Sequence, residues 1–257
     1  MATILFGLIG KSIQYSLSEQ IGREYFAKHG IDADYEIFDI DNVVQIFDVI
    51  KNHGNLRGLN VTIPYKRDVI PLLSSTDDIV KDLGSVNCIS IDRRTGRLHG
   101  FNTDYLAFKA TFTEVLEAHH HSALVLGTGG AAAAVSYALK TMQIEHLMVS
   151  RTKIGGNIIS YEMLNDGDVD FSKYNIIINA TPCGTVGYDD TILSKFPFRK
   201  LVSGSLLYDL VYNPSETPFL AEGKRKHCRT INGMAMLKLQ AEMFYEAILH
   251  SRNGFAG

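Results

Sequence analysis

What this chain of 257 residues has little of narrows its class before any motif is read. Cysteine is scarce, and Cys88, Cys183 and Cys228 are odd in number and stand at no metal-ligand spacing. Such a set excludes a disulfide framework and a zinc site, and it suits a reducing cytoplasm. There is no basic excess, since 25 Lys and Arg face 28 Asp and Glu for a formal net charge of -3, and the cations are dispersed. A surface of that kind does not neutralise a phosphodiester backbone, so no nucleic-acid partner is expected. No apolar run approaches the length of a membrane span, and the first residues lack the basic stretch and long apolar core of a targeting signal. No membrane association is expected. Internal repeats and low-complexity segments are absent. The tract His119-His120-His121 invites a metal, but it falls where a loop should join a helix to a strand and is read as solvated loop. No metal is expected. What the chain does have is 46% hydrophobic residues, enough for one large core or two modest ones.

Its most informative stretch is Ala123-Leu124-Val125-Leu126-Gly127-Thr128-Gly129-Gly130-Ala131-Ala132-Ala133-Ala134. A short apolar run that stops at clustered glycines and resumes as an alanine-rich segment predicts a buried parallel strand, a tight turn and a helix. Gly127 suits the turn, Gly129 lets a pyrophosphate approach the main chain, and Ala132 lets the helix lie close on its strand. The helix N-terminus offers unpaired N–H groups and partial positive charge to phosphates. Gly127, Thr128, Gly129, Gly130 and Ala131 thus form the expected dinucleotide turn. The next strand, Glu145 to Val149, ends in Ser150-Arg151-Thr152-Lys153, about where such a fold reads the adenosine ribose. No carboxylate stands there to accept bonds from ribose hydroxyls. A guanidinium, two hydroxyls and an ammonium suit a 2′-phosphate instead, and Arg151 can also stack on adenine. NADP rather than NAD is the expected cofactor.

From the start, Thr3 to Ile9 reads as a strand. The run Ile21, Tyr25, Phe26, closed by Gly30, predicts a helix. Ser16 and Ser18 converge at its start, where either Ser18 is an ordinary N-cap or both hydroxyls hold a carboxylate favoured by the helix dipole; local sequence favours the cap. A strand over Asp34 to Ile40 and a helix with Val43, Ile46, Phe47 and Ile50 at helical spacing follow. The strand Gly58 to Ile63 is ended by Pro64 and carries Asn60 and Thr62 on one face. Pro64 opens a turn or helix that puts Lys66 just beyond the strand end, where α/β sheets collect ligands. Lys66 is there a catalytic cation or a surface lysine.

A helix near Asp77 to Leu83 precedes a hairpin, Val86 to Ile91 and a return strand ending at Gly100-Phe101-Asn102-Thr103-Asp104. Asp104 is either an acid welcomed in the first turn of the following helix or the partner of Lys66. Beyond the glycine turn, Tyr174 to Ile178 is expected as the third strand of a second domain, ending in the polar turn Asn179-Ala180-Thr181-Pro182-Cys183-Gly184. Leu206 to Tyr212 reads as another strand, with Tyr212 facing either a ligand or the core. A last helix, from about Ala235 to His250, places Met236 and Gln240 four apart on one side.

Taken together, these stretches resemble the shikimate dehydrogenase family, which includes quinate/shikimate dehydrogenases. The resemblance covers nearly the whole chain and rests on an ordered set: Asn60 to Lys66, Asn102-Thr103-Asp104, the turn at Gly127, Ser150-Arg151-Thr152, Asn179-Ala180-Thr181, Tyr208 to Pro218 and Gly233 to Gln240. It implies an α/β chain of two domains. Residues 1–103 with 236–257 would form a substrate-binding, catalytic domain, and 104–235 a Rossmann-like NADP-binding domain. The implied activity is reversible, NADP-dependent reduction of 3-dehydroshikimate to shikimate in aromatic amino-acid biosynthesis. A quinate/shikimate dehydrogenase using NAD and a non-catalytic shikimate sensor are the alternatives. By the resemblance, Lys66 and Asp104 flank the reacting oxygen. Ser16, Ser18, Asn60, Thr62, Asn87, Tyr212 and Gln240 bind substrate, the two serines holding its carboxylate. Asn179, Thr181, Gly233 and Met236 join the glycine turn and the Ser150 to Thr152 segment around the cofactor. The expected state is a cytoplasmic monomer or homodimer. Cys88, Thr128, Thr185 and Ser150 replace the family's usual Thr, Ala, Met and Asn, and none of these removes a required group.

Overall fold

A strand covered on both faces must be buried along its length, as residues 5–10 are in one sheet of this chain and Ser122–Leu126 in the other. The computed structural model describes residues 3–188 and 193–250. The fold is α/β with two six-stranded sheets. The chain divides into two compact units, Met1–Asp104 with Lys238–Gly257, and Tyr105–Leu237. Residues 251–257, the end of the expected first domain, lie outside the described residues.

The first unit runs β1 (Ile4–Gly10), α1 (Ser18–His29), β2 (Ala33–Asp39), α2 (Ile46–Asn52), β3 (Leu56–Val61), β4 (Ser75–Thr76), α3 (Asp78–Leu83), β5 (Cys88–Ile91) and β6 (Leu98–Phe101). Its strand order is β2-β1-β3-β5-β6-β4. β1 lies parallel to β2 and β3, and the β5–β6 hairpin adds antiparallel pairing to β3. Gly30 closes α1 at φ 65°, the left-handed conformation that a C-terminal cap requires.

The second unit takes in most of α4 (Asp104–Thr113), then β7 (Ser122–Leu126), α5 (Gly130–Thr141), β8 (Glu145–Ser150), β9 (Ile158–Ser160), α6 (Tyr161–Asp166), β10 (Ile176–Asn179), β11 (Leu206–Asp209), α7 (Pro218–Arg225) and β12 (Arg229–Ile231). All six strands are parallel, in the order β12-β11-β10-β7-β8-β9. β7, β10 and β11 are buried at every residue, as central parallel strands must be. The chain leaves β7 toward β9 on one side and returns to build β10 to β12 on the other. β7 and β10 therefore flank a topological switch point, and ligands of doubly wound sheets bind at the carboxyl ends of such a pair.

The last helix, α8 (Met234–Leu249), starts in the second unit and ends in the first. Within the first unit Phe244 and Tyr245 are fully buried, with centroids 5.6 and 5.4 Å from the ring of Phe6. Phe26 stands 4.8 Å from Tyr245. Edge-on and offset aromatic pairs of this kind add about 0.5–1.5 kcal/mol each beyond area burial. Gly58 makes the close approach possible, since a Cβ there would lie 2.2 Å from Ile248 Cδ1.

Several expectations are corrected. β9 and β12 are three-residue edge strands, too short for a period-two pattern to register. The segment expected as the third strand of its domain is therefore the fourth in chain order, and it runs Ile176–Asn179 because Phe171–Lys173 winds as a 3₁₀ turn just before it. The strand from Leu206 stops at Asp209, not Tyr212. The histidine tract is only partly solvated. His120 is buried and its Nδ1 accepts from the Glu117 N–H at 3.0 Å, and burial holds its pKa below the usual imidazole value.

Candidate active site

In the first unit, β3 delivers Asn60 to the sheet interior and then turns at Ile63 and Pro64. The turn is pinned from both sides: Tyr65 OH donates to Ile40 O at 2.7 Å, and Val86 N donates to Lys66 O at 2.8 Å. Lys66 is thereby held with its side chain only 15% exposed, and its Nζ lies 2.5 Å from Oδ2 of Asp104, whose side chain is 7% exposed. The surface-lysine reading is thus excluded. Asp104 fills both roles offered for it, as the first residue of α4 and as the partner of Lys66. A charge pair this far out of water is held by further hydrogen bonds rather than by Coulomb attraction alone.

Asn87, immediately before β5, supplies those bonds. Its Nδ2 lies 2.8 Å from Asp104 Oδ1, 3.0 Å from Thr103 Oγ1 and 3.3 Å from Gln240 Oε1, and its Oδ1 accepts from Thr103 N at 2.8 Å. Thr103 Oγ1 donates to Gln240 O at 3.2 Å, which ties α8 into the same group. Asn60 is oriented from behind, because the fully buried Tyr35 donates its hydroxyl to Asn60 Oδ1 at 2.9 Å. That leaves Asn60 Nδ2 as a donor, 3.5 Å from Asn87 O. Cys88 lies among these groups, and burial pushes its thiol far above the ordinary range. It is an inert filler rather than a nucleophile. Thr62 is half-buried just past β3.

At the start of α1 the local N-cap reading fails. The capping position is Leu17, without a side-chain cap, and Ser18 is already helical. Ser16 Oγ accepts from Ser18 N at 3.2 Å and lies 3.0 Å from Ser18 Oγ. The two hydroxyls are side by side, an arrangement suited to a carboxylate at a helix N-terminus.

In the second unit, β7 ends at Gly127, whose φ of 110° is one that side chains rarely adopt. A Cβ there would also lie 3.0 Å from Thr181 Cγ2, so the turns after β7 and β10 meet. Gly129 precedes α5 without a side-chain cap, and a Cβ on it would meet nothing within 4 Å. Thr128, Gly130 and Ala131 are half-buried around it. A 12-residue helix with an uncapped N-terminus beside open space fits a pyrophosphate. After β8 the buried Ser150 folds the following turn, accepting from Thr152 N at 3.2 Å and Lys153 N at 3.0 Å. Arg151, Thr152 and Lys153 are exposed, and neither cation forms an ion pair among the described residues.

Asn179 is fully buried. Its Nδ2 donates to Asp209 Oδ1 at 2.9 Å and Cys183 O at 3.0 Å, while its Oδ1 accepts from Thr181 Oγ1 at 2.6 Å and Thr181 N at 3.1 Å. Its side chain thus shapes the Thr181 turn. Tyr212 is half-buried in this unit, as is Asn213 beside it. At Gly233 a Cβ would lie 2.1 Å from Leu210 O, so the approach to α8 tolerates no side chain there. Met236 is buried on the first turns of α8. Among the described residues no group of three or more His, Cys, Asp and Glu could hold a metal.

Residues 8–89 match the family profile described as shikimate dehydrogenase substrate binding domain. A shikimate dehydrogenase (NADP(+)) of Carboxydothermus hydrogenoformans is 35% identical, over 95% of this chain and 91% of that one. The chain belongs to the shikimate dehydrogenase family. A family member of Clostridium botulinum, also a shikimate dehydrogenase (NADP(+)), is 32% identical over 98% of both chains. Among solved structures, shikimate dehydrogenase 1 of Peptoclostridium difficile superposes with a TM-score of 0.81 at 32% identity, covering 96% of this chain and 91% of the other. Quinate dehydrogenase of Corynebacterium glutamicum, in complex with NAD, gives a TM-score of 0.80 at 26% identity, over 96% and 93%.

Within this family member, sequence reasoning missed Tyr35, which supports Asn60, and the linking role of Thr103. Tyr35 reads only as an aromatic in a strand, and no local pattern signals a hydroxyl aimed 25 residues along the chain.

Proposed function

We propose that this chain catalyses the reversible, NADP-dependent reduction of 3-dehydroshikimate to shikimate, a step toward the aromatic amino acids. The observation that carries the reading is the Lys66–Asp104 pair, mostly withdrawn from water and joined through Asn87 to Gln240. Bound NADPH supplies a hydride to the carbon of the C3 ketone. As that oxygen gains charge, Lys66 gives it a proton, and in the reverse direction Lys66 takes the proton back. Asp104 fixes the direction of the ammonium and Asn87 fixes Asp104. Ser16 and Ser18 hold the substrate carboxylate. Asn60, Thr62, Asn87, Tyr212 and Gln240 bind the remaining polar groups, so that the ring presents one face and one oxygen.

The cofactor residues would be the turn Gly127, Thr128, Gly129, Gly130 and Ala131, with Ser150, Arg151, Thr152, Thr181, Gly233 and Met236. Asn179 acts through Thr181. In domain terms, residues 1–103 with 236–257 bind substrate and 104–235 bind the dinucleotide. Every group invoked comes from one chain, so a monomer suffices and a homodimer would repeat the site. Among the described residues Cys88, Cys183 and Cys228 form no disulfide, which supports a reducing, cytoplasmic setting.

The test is NADPH formation at 340 nm with shikimate, run beside quinate and beside NAD. Rapid turnover confined to shikimate and NADP is expected, and turnover only with quinate and NAD would overturn the reading. The unpaired Arg151 and the lack of an acid from Ser150 to Lys153 favour NADP. Arg151→Ser is expected to lower kcat/KM for NADP by about 10- to 100-fold, the weight of one charge-assisted hydrogen bond to phosphate, while leaving the NAD rate nearly unchanged. An equal loss with both cofactors would assign Arg151 to adenine stacking instead.

A further inference from the structure

At the amino ends of β1 and β3, far along the strands from Lys66, the first unit holds a cavity of about 780 Å³. Phe6, Ile91, Ile248 and Leu249 give it an apolar lining, and Arg57, Arg93, Arg94 and Arg97 give it charge. None of the residues of the proposed active site lines it.

Arg57 is there because of a register fault. Leu5 pairs with Leu56 but Phe6 pairs with Gly58, so Arg57 is an extra residue in β3. Bulges of this kind re-aim a side chain, and this one puts a guanidinium into the lining. Arg57 Nη1 is fully buried and has no hydrogen-bond partner. A buried guanidinium nitrogen without an acceptor is costly, and such groups call for an explanation.

The acids in the lining do not provide one. Asp92 is spent on its own turn, accepting from Arg94 N at 2.9 Å, Thr95 N at 3.3 Å and Thr95 Oγ1 at 2.6 Å. Asp77 Oδ1 lies 2.9 Å from His99 Nε2. Arg93 Nη1 donates to Ile50 O at 3.0 Å, which fixes that guanidinium in place with donors to spare. Arg94 and Arg97 form no ion pair among the described residues.

We propose that this cavity is a second ligand site, which takes a small molecule joining an oxyanion, phosphate or carboxylate, to an apolar body. Arg57, half-buried in the lining, is its anchor, Arg94 and Arg97 are its rim, and Phe6, Ile248 and Leu249 meet the apolar part. Planar guanidinium groups match both oxyanions in a two-bond fork, so the charge alone does not choose between them.

Calorimetric titration of the full chain with phenyl phosphate and, separately, with benzoate tests the site and reads which oxyanion it prefers. Saturable binding of at least one is expected, weakened about tenfold or more in Arg57→Met, with shikimate turnover unaltered. The double variant Arg94→Ser, Arg97→Ser, which alters only the rim, is expected to weaken binding as well and serves if Arg57→Met fails to fold. Arg151 is another place where a phosphate could sit, so Arg151→Ser is titrated alongside. Binding that is lost in Arg151→Ser but kept in Arg57→Met would overturn the proposal, as would no saturable binding of either probe.

Discussion

Lys66→Ala is expected to lower kcat for shikimate oxidation by about 10²- to 10⁴-fold, the range carried by a positioned acid–base group. The size of the effect follows from how little else near the reacting oxygen could replace the lysine. Asp104, its partner at 2.5 Å, is committed to Asn87 through its other oxygen, and Asn87 already serves Thr103 and Gln240. Among the described residues no other cation joins this hydrogen-bonded group. The substrate contacts assigned to Ser16, Ser18 and Asn60 lie outside the Lys66–Asp104 pair, so KM should move far less than kcat. Steady-state kinetics and shikimate binding to the variant, measured together, separate the two. Near-normal turnover would remove Lys66 from the chemistry. Binding without turnover in the wild-type chain would instead mark a sensor that kept the pocket and lost the reaction.

The second large effect is on stability. Asp209→Ala is expected to destabilise the second unit by about 3–5 kcal/mol, the usual result of breaking a buried charged network by removing one member. Asp209 is fully buried at the end of β11, where it accepts from Asn179 Nδ2 at 2.9 Å, Val211 N at 3.0 Å and Thr217 Oγ1 at 2.5 Å. Thr217 in turn caps α7, accepting from Leu220 N at 3.2 Å. One carboxylate therefore joins the turn after β10, the exit from β11 and the start of α7. Alanine would leave three donors unpaired in a dry interior, and each orphan costs about 1–3 kcal/mol before relaxation. Thermal unfolding should show a fall in Tm on the order of 10 °C. An unchanged Tm would mean that water reaches these groups. Because Asn179 also fixes Thr181 beside Gly127, the folded fraction of the variant should bind NADP more weakly.

How much of this could be read beforehand depended on whether the signal was local. The turn at Gly127 was legible because strand, glycines and helix sit within a dozen residues and each requires a particular residue type. The Asn60 to Lys66 stretch was legible as a strand ending at a proline, yet nothing nearby said whether Lys66 faced water. That answer came from Asp104, 38 residues on. Ser18 was misread by its neighbourhood, since serine before an amphipathic run is the ordinary mark of a cap; here Leu17 takes that position and Ser16 turns back on Ser18. Asn179 followed the family pattern in sequence, but its burial against Asp209 gives it a supporting role that no motif could convey. β9 and β12 escaped because three residues at a sheet edge carry no period, and Arg57 because a bulge is a misfit between two strands rather than a property of one.

The path of α8 also has a consequence for how the chain matures. The second unit is one unbroken stretch, whereas the first is closed by residues that follow it in sequence. A chain ending at Leu237 holds every strand of the second unit but lacks Gln240, Phe244 and Tyr245, so the second unit can condense in it while the amino-terminal half lacks its lid of aromatics. Phe6, Phe26 and Gly58 are unsheltered in such a chain. A released chain truncated after Leu237 is therefore expected to resist protease from β7 onward and to be cut within the first hundred residues. Protection of both halves at that length would show that the amino-terminal sheet closes without its last helix.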